Sequence, residues 1–267
     1  MEMRPLGATG LQVSPVGLGT VKFGRNRAVK YPEHFDLPSD RHLRNLLACA
    51  AALGINLLDT APAYGSSEER LGGLLAGERH RWVIASKVGE EFDGERSRFD
   101  FSAAAVRLSV TRSLRRLGTD WLDIVLVHSD GGEETLARFA PALEALRDLQ
   151  RAGTIRATGF SPKTPAGGLM AVEQCDVVML TFNPTQTAER PAIAAAHRLG
   201  KGVLIKKALA SGHLAGLAGG EGLAGAMDFI FAEPGISSIV IGSLDPAHLT
   251  ANVAAATAAI RRVSRAA

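Results

Sequence analysis

Three short apolar runs in this chain each end on a residue able to carry or move a proton. Asn56–Leu57–Leu58–Asp59 leads through Thr60 to Tyr64, one of only two tyrosines, five residues past the aspartate. Ala85–Ser86–Lys87 ends a second run and Val125–Leu126–Val127–His128 a third. A phenol beside an ammonium, with a carboxylate and an imidazole close by, can deliver a proton to a carbonyl near neutral pH. Each residue alone has an ordinary structural reading: a buried ion pair, a tyrosine over a core, a histidine bonded to backbone. It is their recurrence at consecutive run ends that points to chemistry.

Bringing four such residues together requires strands that end at one rim. Eight runs read as strands: Val16–Gly19, Asn56–Asp59, Val83–Lys87, Leu122–Val127, Ile155–Phe160, Val177–Thr181, Gly202–Lys206 and Ser238–Ile241. They are near-continuous apolar segments, the pattern of parallel strands covered by helices. Between them lie amphipathic stretches. One follows Ser39–Asp40, one starts at Ser66 with Glu69 in capping-box spacing, and others span about 102–117, 133–152, 165–174, 190–199, 223–232 and 246–263. Eight such units without a break in composition predict a single closed (β/α)₈ barrel over residues 1–267, whose functional groups sit at the C-terminal strand ends. Met3–Leu6 and Gln12–Pro15 read as a hairpin closing the opposite end. The long 22–38 connection and the glycine-rich 211–222 stretch read as loops, the second a mobile one.

At 267 residues and 46% apolar the chain can bury a large core. No run approaches the 20 or so apolar residues needed to span a bilayer, and no secretory leader opens the sequence. Cys49 and Cys175 lack metal-ligand or CxxC spacing, which suits core thiols of a reducing, cytoplasmic compartment. The net charge of +3 comes mostly from arginines spread over helices, and aromatics are only 5%, so nucleic acid is not an expected partner.

Several stretches resemble the aldo-keto reductases: Gly17–Leu18–Gly19–Thr20, residues 56–65, Ser86–Lys87–Val88–Gly89, residues 113–128 and Gly159–Phe160–Ser161. The likeness runs from residue 4 to about 260. It implies an NADPH- or NADH-dependent carbonyl reductase on a (β/α)₈ barrel, acting on small aldehydes, ketones or sugar-like alcohols, with Asp59, Tyr64, Lys87 and His128 as its catalytic tetrad. Tyr64 would donate the proton as hydride arrives. Free tyrosine titrates near 10, so tuning it towards roughly 7 takes about 4 kcal/mol. An ammonium about 4 Å away at an effective dielectric of about 20 supplies approximately that, with Lys87 as the candidate. Asp59 would keep Lys87 charged against desolvation, and His128 would orient the carbonyl oxygen as a hydrogen-bond partner.

The resemblance also implies cofactor contacts at Thr20, Val21, Ser161, Lys206, Ser243 and Asn252. Ser161 matches the serine that binds the carboxamide, but Pro162 and Met179 replace its usual asparagine and glutamine partners. Lys206 stands where many relatives carry a ring stacked on nicotinamide. Gly242 and His248 replace basic residues that grip a 2′-phosphate, although a helix start after Asp245–Pro246 attracts phosphate and Lys206 or Lys207 could reach it. The expectation is NADPH, with NADH possible. Val21, Lys22, Tyr31 and Trp121 are candidate pocket walls, Trp121 being better suited to the core. Two other readings remain open: a lyase or aldolase using Lys87 as a Schiff base, and a nucleotide-sensing regulatory subunit with little turnover.

Overall fold

The structure, a computed structural model, describes residues 1–29, 34–133, 136–210 and 222–266. Tyr31 and nearly all of the glycine-rich 211–222 stretch lie outside the described residues.

A hairpin of β1 (Arg4–Pro5) and β2 (Gln12–Val13) opens the chain. Then come β3 (Val16–Gly19), helices α1 (Val21–Gly24) and α2 (Asp40–Ala52), β4 (Leu57–Asp59), a 3₁₀ turn at Pro62–Tyr64, α3 (Ser67–Leu74) and β5 (Val83–Val88). A second hairpin, β6 (Glu90–Phe92) and β7 (Ser97–Phe99), precedes α4 (Ala103–Leu117). The remainder alternates: β8 (Leu122–His128), α5 (Ala140–Arg151), β9 (Ile155–Ser161), α6 (Pro165–Gln174), β10 (Val177–Thr181), α7 (Arg190–Arg198), β11 (Gly202–Lys206), α8 (Gly222–Phe231), β12 (Ser238–Ile241) and α9 (Pro246–Ala266). Strands β3, β4, β5, β8, β9, β10, β11 and β12 pair in parallel and in chain order, and β12 closes onto β3. This is the expected (β/α)₈ barrel, and each predicted strand is present within a residue or two.

Strand side chains alternate between two apolar layers. Leu58, Ile84, Val125, Val127 and Val178 join the helix layer, whereas Leu57, Val83, Ala85, Ile124, Leu126, Ala157, Val177, Met179 and Leu204 fill the barrel. Leu6, Leu11 and Val13 of the first hairpin complete that inner layer and plug its lower end. Gly7 makes this fit possible: with φ +54°, a Cβ there would lie 2.4 Å from the Gly202 nitrogen. The period of two then fixes the site. Asp59, Lys87, His128, Ser161 and Lys206 share the parity of the inner layer, so each side chain enters the barrel mouth at the upper strand ends.

Local differences from the sequence reading have physical causes. The Ser66 capping box does not form; Ser66 sits at φ −84°, ψ 8° and makes no side-chain cap bond. The helix expected over 133–152 begins at Ala140, with Pro141 in its first turn. Glu133 is not helical, because its carboxylate accepts bonds from Lys163 N (2.7 Å) and Thr164 N (2.8 Å). Trp121 directly precedes β8 at the lower end of the barrel, with the Arg79 guanidinium 4.8 Å from its ring, so it is no pocket wall.

Candidate active site

Tyr64 owes its place to two glycines. The connection after β3 crosses the 3₁₀ turn so closely that a Cβ on Gly65 (φ +62°) would lie 2.2 Å from the Gly24 carbonyl oxygen. A Cβ on Gly24 would lie 2.2 Å from Ser67 N. Arg25 ties the same segments together: its guanidinium donates to the Ala63 carbonyl (2.9 Å) and stacks 3.6 Å above the centre of the Phe92 ring.

Within the mouth, Lys87 and Asp59 form a buried ion pair with side chains 2% and 6% exposed. The ammonium also donates to the Thr60 carbonyl at 2.9 Å. It lies 4.7 Å from the centroid of the Tyr64 ring. The Tyr64 hydroxyl donates to Asp59 Oδ2 at 3.4 Å, long for such a bond, while the other carboxylate oxygen faces Lys87. Asp59 thus stands between phenol and ammonium as a bridge. His128 presents its ring edge-on to Tyr64, with centroids 6.4 Å apart and planes at 87°. All four expected residues therefore meet at one rim.

Three residues that sequence reasoning passed over, Glu90, Ser97 and Arg25, belong to the same cluster. Glu90, on β6, places Oε2 2.8 Å from His128 Nδ1. The oxygen lies off the in-plane direction of the ring N–H, so the contact is close without being a well-aligned hydrogen bond. Glu90 Oε1 accepts the Ser97 hydroxyl at 2.5 Å, and Arg25 approaches to 3.7 Å. Burial alone would raise the Glu90 carboxyl; the contact and charge of His128, the Ser97 hydroxyl and Arg25 outweigh it and hold it at about 2. Burial pushes the His128 imidazole below its ordinary range, Glu90 opposes this, and Lys87 and Lys206 add to it. The available signal was Asp93–Gly94, a dipeptide suited to a hairpin turn, three residues beyond Glu90.

The candidate cofactor residues fall into three places. Ser161 (1% exposed) lies beside His128 in register, and Lys206 Nζ donates to Ser161 Oγ at 2.9 Å and to the Pro162 carbonyl at 2.5 Å. Burial brings the Lys206 ammonium down to about 8, Glu189 opposing and Lys207 and Lys87 assisting. That anchoring turns Lys206 towards Ser161 rather than towards the start of α9. Thr20 lies under α3: its hydroxyl bonds to the Asp59 carbonyl at 2.9 Å and to Ser67 Oγ at 2.7 Å. Val21, the next residue, is half-buried as α1 begins.

Ser243 and Asn252 flank the start of α9 across the barrel rim. Ser243 Oγ accepts from Asp245 N (3.1 Å), and Asp245 Oδ1 accepts from Ala247 N (2.7 Å), so a carboxylate already caps that helix. His248 points outward, 76% exposed. Asn252 is 5% exposed, and its amide makes no hydrogen bond among the described residues, which leaves it able to meet a ligand's donors and acceptors. Among the described residues there is no cluster of three or more His, Cys, Asp or Glu suited to a metal, and no helix is long and apolar enough to cross a membrane.

Comparison with known proteins agrees with this fold. A solved protein from Pseudomonas aeruginosa, described as an aldo-keto reductase, is 49% identical, covers 97% of this chain and 96% of its own, and superposes with a TM-score of 0.87. The oxidoreductase YqkF of Bacillus subtilis is 27% identical over 97% of this chain and 92% of its own length. L-galactose dehydrogenase of Arabidopsis thaliana is 29% identical over 96% and 88%. The profile of the Aldo/keto reductase family matches residues 15–222, and the chain therefore belongs to that family of NAD(P)H-dependent oxidoreductases.

Proposed function

We propose that this enzyme reduces aldehydes or sugar-like carbonyls, or runs the reverse oxidation of alcohols, with Tyr64 as the general acid. One observation carries the reading: at the mouth the Lys87 ammonium, paired with Asp59, lies 4.7 Å from the centroid of the Tyr64 ring, with His128 on the strand beside that of Lys87. A reduced nicotinamide nucleotide supplies the hydride when bound. The chain's own residues handle the proton. Tyr64 gives its hydroxyl proton to the carbonyl oxygen, and the ammonium beside its ring stabilises the phenolate left behind. Asp59 keeps that ammonium charged in a site with little water. His128 holds the substrate oxygen within reach of the phenol. General acid help of this kind is typically worth about 10² to 10⁴ in rate, so alignment of hydride donor and carbonyl must do the rest.

For the cofactor we propose NADPH, with NADH also used. Ser161 and Lys206 are suited to its carboxamide side, and Ser243 and Asn252 to its adenosine side. The exposed His248 imidazole is suited to a 2′-phosphate only as a hydrogen-bond partner, and the Asp245 cap opposes one, so small discrimination is expected. A small-molecule carbonyl or alcohol is the expected partner, sugars being favoured by the likeness to L-galactose dehydrogenase. The unpaired Cys49 and Cys175 support a cytoplasmic setting. Tyr64→Phe tests the reading. Turnover of an aldehyde panel should fall at least about 100-fold, while NADPH and NADH titrations followed by fluorescence stay close to wild type. Retention of more than about a tenth of the activity would refute the acid role. Tight nucleotide binding without turnover in wild type would favour the regulatory-subunit reading.

A further inference from the structure

Glu90 approaches a face of the tetrad that the proton transfer itself does not use. It comes from the second hairpin, an addition to the eight βα units, and it reaches His128 at its buried nitrogen, Nδ1. Nδ1 is within 2.8 Å of its carboxylate, whereas Nε2 makes no hydrogen bond among the described residues. Glu90 is itself held on two sides, by Ser97 across the hairpin and by Arg25, which also donates to the Ala63 carbonyl in the turn carrying Tyr64. Hydrogen bonds at such sites are often poorly aligned before substrate arrives and tighten afterwards.

The geometry points to Glu90 as a positioning residue that keeps His128 Nδ1 protonated and makes Nε2 the nitrogen that gains and loses a proton. For its consequences this inference rests on the carbonyl-reductase reading. With Nδ1–H held by Glu90, neutral His128 offers Nε2 as an acceptor, suited to the hydroxyl of an alcohol being oxidised. Charged His128 offers Nε2–H as a donor, suited to a carbonyl oxygen being reduced. The balance between the two directions then depends on one proton.

The groups around the ring compete over that proton. Glu90 from β6 favours the charged ring. Lys87 from β5 and Lys206 from β11 oppose it. Tyr64 faces the ring edge from the 3₁₀ turn, and β9 contributes the neutral Ser161. Asp130, two residues on, is taken up by Arg138 at 2.5 Å.

The test is nitrogen-15 NMR of histidine-labelled protein across pH, on wild type, Glu90→Gln and Glu90→Asp, alongside pH profiles of reduction and oxidation. In wild type, His128 Nδ1 should stay protonated while Nε2 titrates. In Glu90→Gln the His128 inflection should move at least about one unit lower, because an opposite charge this close typically shifts a neighbour by about 1–3 units. The high-pH fall in reduction should move with it, at nearly unchanged KM, and Glu90→Asp should recover part of the shift. A wild-type ring protonated at Nε2 while neutral would overturn the proposal. So would a Glu90→Gln inflection that does not move. Should wild type turn over no carbonyl or alcohol, the functional reading fails, and the NMR result still decides the role of Glu90.

Discussion

Lys87 is both half of a buried ion pair and the charge expected to stabilise the Tyr64 phenolate, and these two roles can be measured apart. Lys87→Met leaves the Asp59 carboxylate in a site where its side chain is 6% exposed, with the Tyr64 hydroxyl 3.4 Å away as a weak donor. Breaking a buried pair by removing one partner costs about 3–5 kcal/mol, a large share of the 5–15 kcal/mol that holds a typical protein folded. In a chain of this size that corresponds to roughly 6–20 °C in Tm. The double variant Asp59→Asn, Lys87→Met leaves no stranded charge. Its main remaining loss is the bond from Lys87 to the Thr60 carbonyl, worth about 1 kcal/mol. Urea denaturation of wild type, both single variants and the double should therefore show the double about 2–4 kcal/mol more stable than Lys87→Met. Turnover should behave differently. Neither Lys87→Met nor the double has an ammonium beside the phenol, so both should lose about 10² or more in kcat. Recovery of kcat in the double would show that Lys87 serves only to hold the fold. A single-variant cost below about 1 kcal/mol would show that the pair is not desolvated.

Three further outcomes follow from the geometry. Gly65→Ala should cost well over 2 kcal/mol in urea denaturation and depress kcat, because φ is +62° and the new Cβ meets the Gly24 oxygen at 2.2 Å; Gly77→Ala, with φ +80° and nothing within 4 Å, should cost only about 1–2 kcal/mol. His248→Arg should tighten NADPH over NADH by about fivefold or more in fluorescence titrations, as a new charged hydrogen bond would, and equal effects on both would remove that residue from the phosphate site. Lys206 is brought down from 10.5 to about 8, so the unfolded chain holds this proton over that interval and the folded chain does not. Wild-type stability should therefore rise relative to Lys206→Met as pH goes from about 8 to 10.5; a flat difference would contradict the lowered value.

The barrel was legible because its strands are buried on both faces, which leaves eight apolar runs separated by amphipathic helices. The tetrad was legible for a related reason. An ionisable residue at the end of an apolar strand can be hydrated or paired only at the rim, so Asp59, Lys87 and His128 announce the rim on which they stand. What period two adds is direction: Asp59 follows the inward Leu57, Lys87 the inward Ala85 and His128 the inward Leu126. Thr20 follows the inward-parity Gly19 by one residue, so it turns out to Ser67 under α3, a placement that motif matching could not give.

Glu90 was not legible, for a reason that bears on its role. The three-residue strands around Asp93–Gly94 carry charged and aromatic residues with no apolar run, so only that turn dipeptide marks a hairpin and nothing in the strands themselves directs Glu90 to the site. Their fixed position comes from contacts distant in sequence: Arg25 on Phe92, Asp100 N on the Gly89 carbonyl at 2.9 Å, and the pairing of Glu90 with Phe99. A carboxylate that only needed solvation would not require this support. Held between Ser97, Arg25 and His128, Glu90 has lost the freedom of a surface glutamate, and it opposes the proton-expelling pull of Lys87 and Lys206 on the imidazole. Removing the hairpin while keeping Lys87 and His128 should therefore leave the barrel folded and the histidine harder to protonate, whereas a hairpin that served only as packing would leave His128 titrating as before.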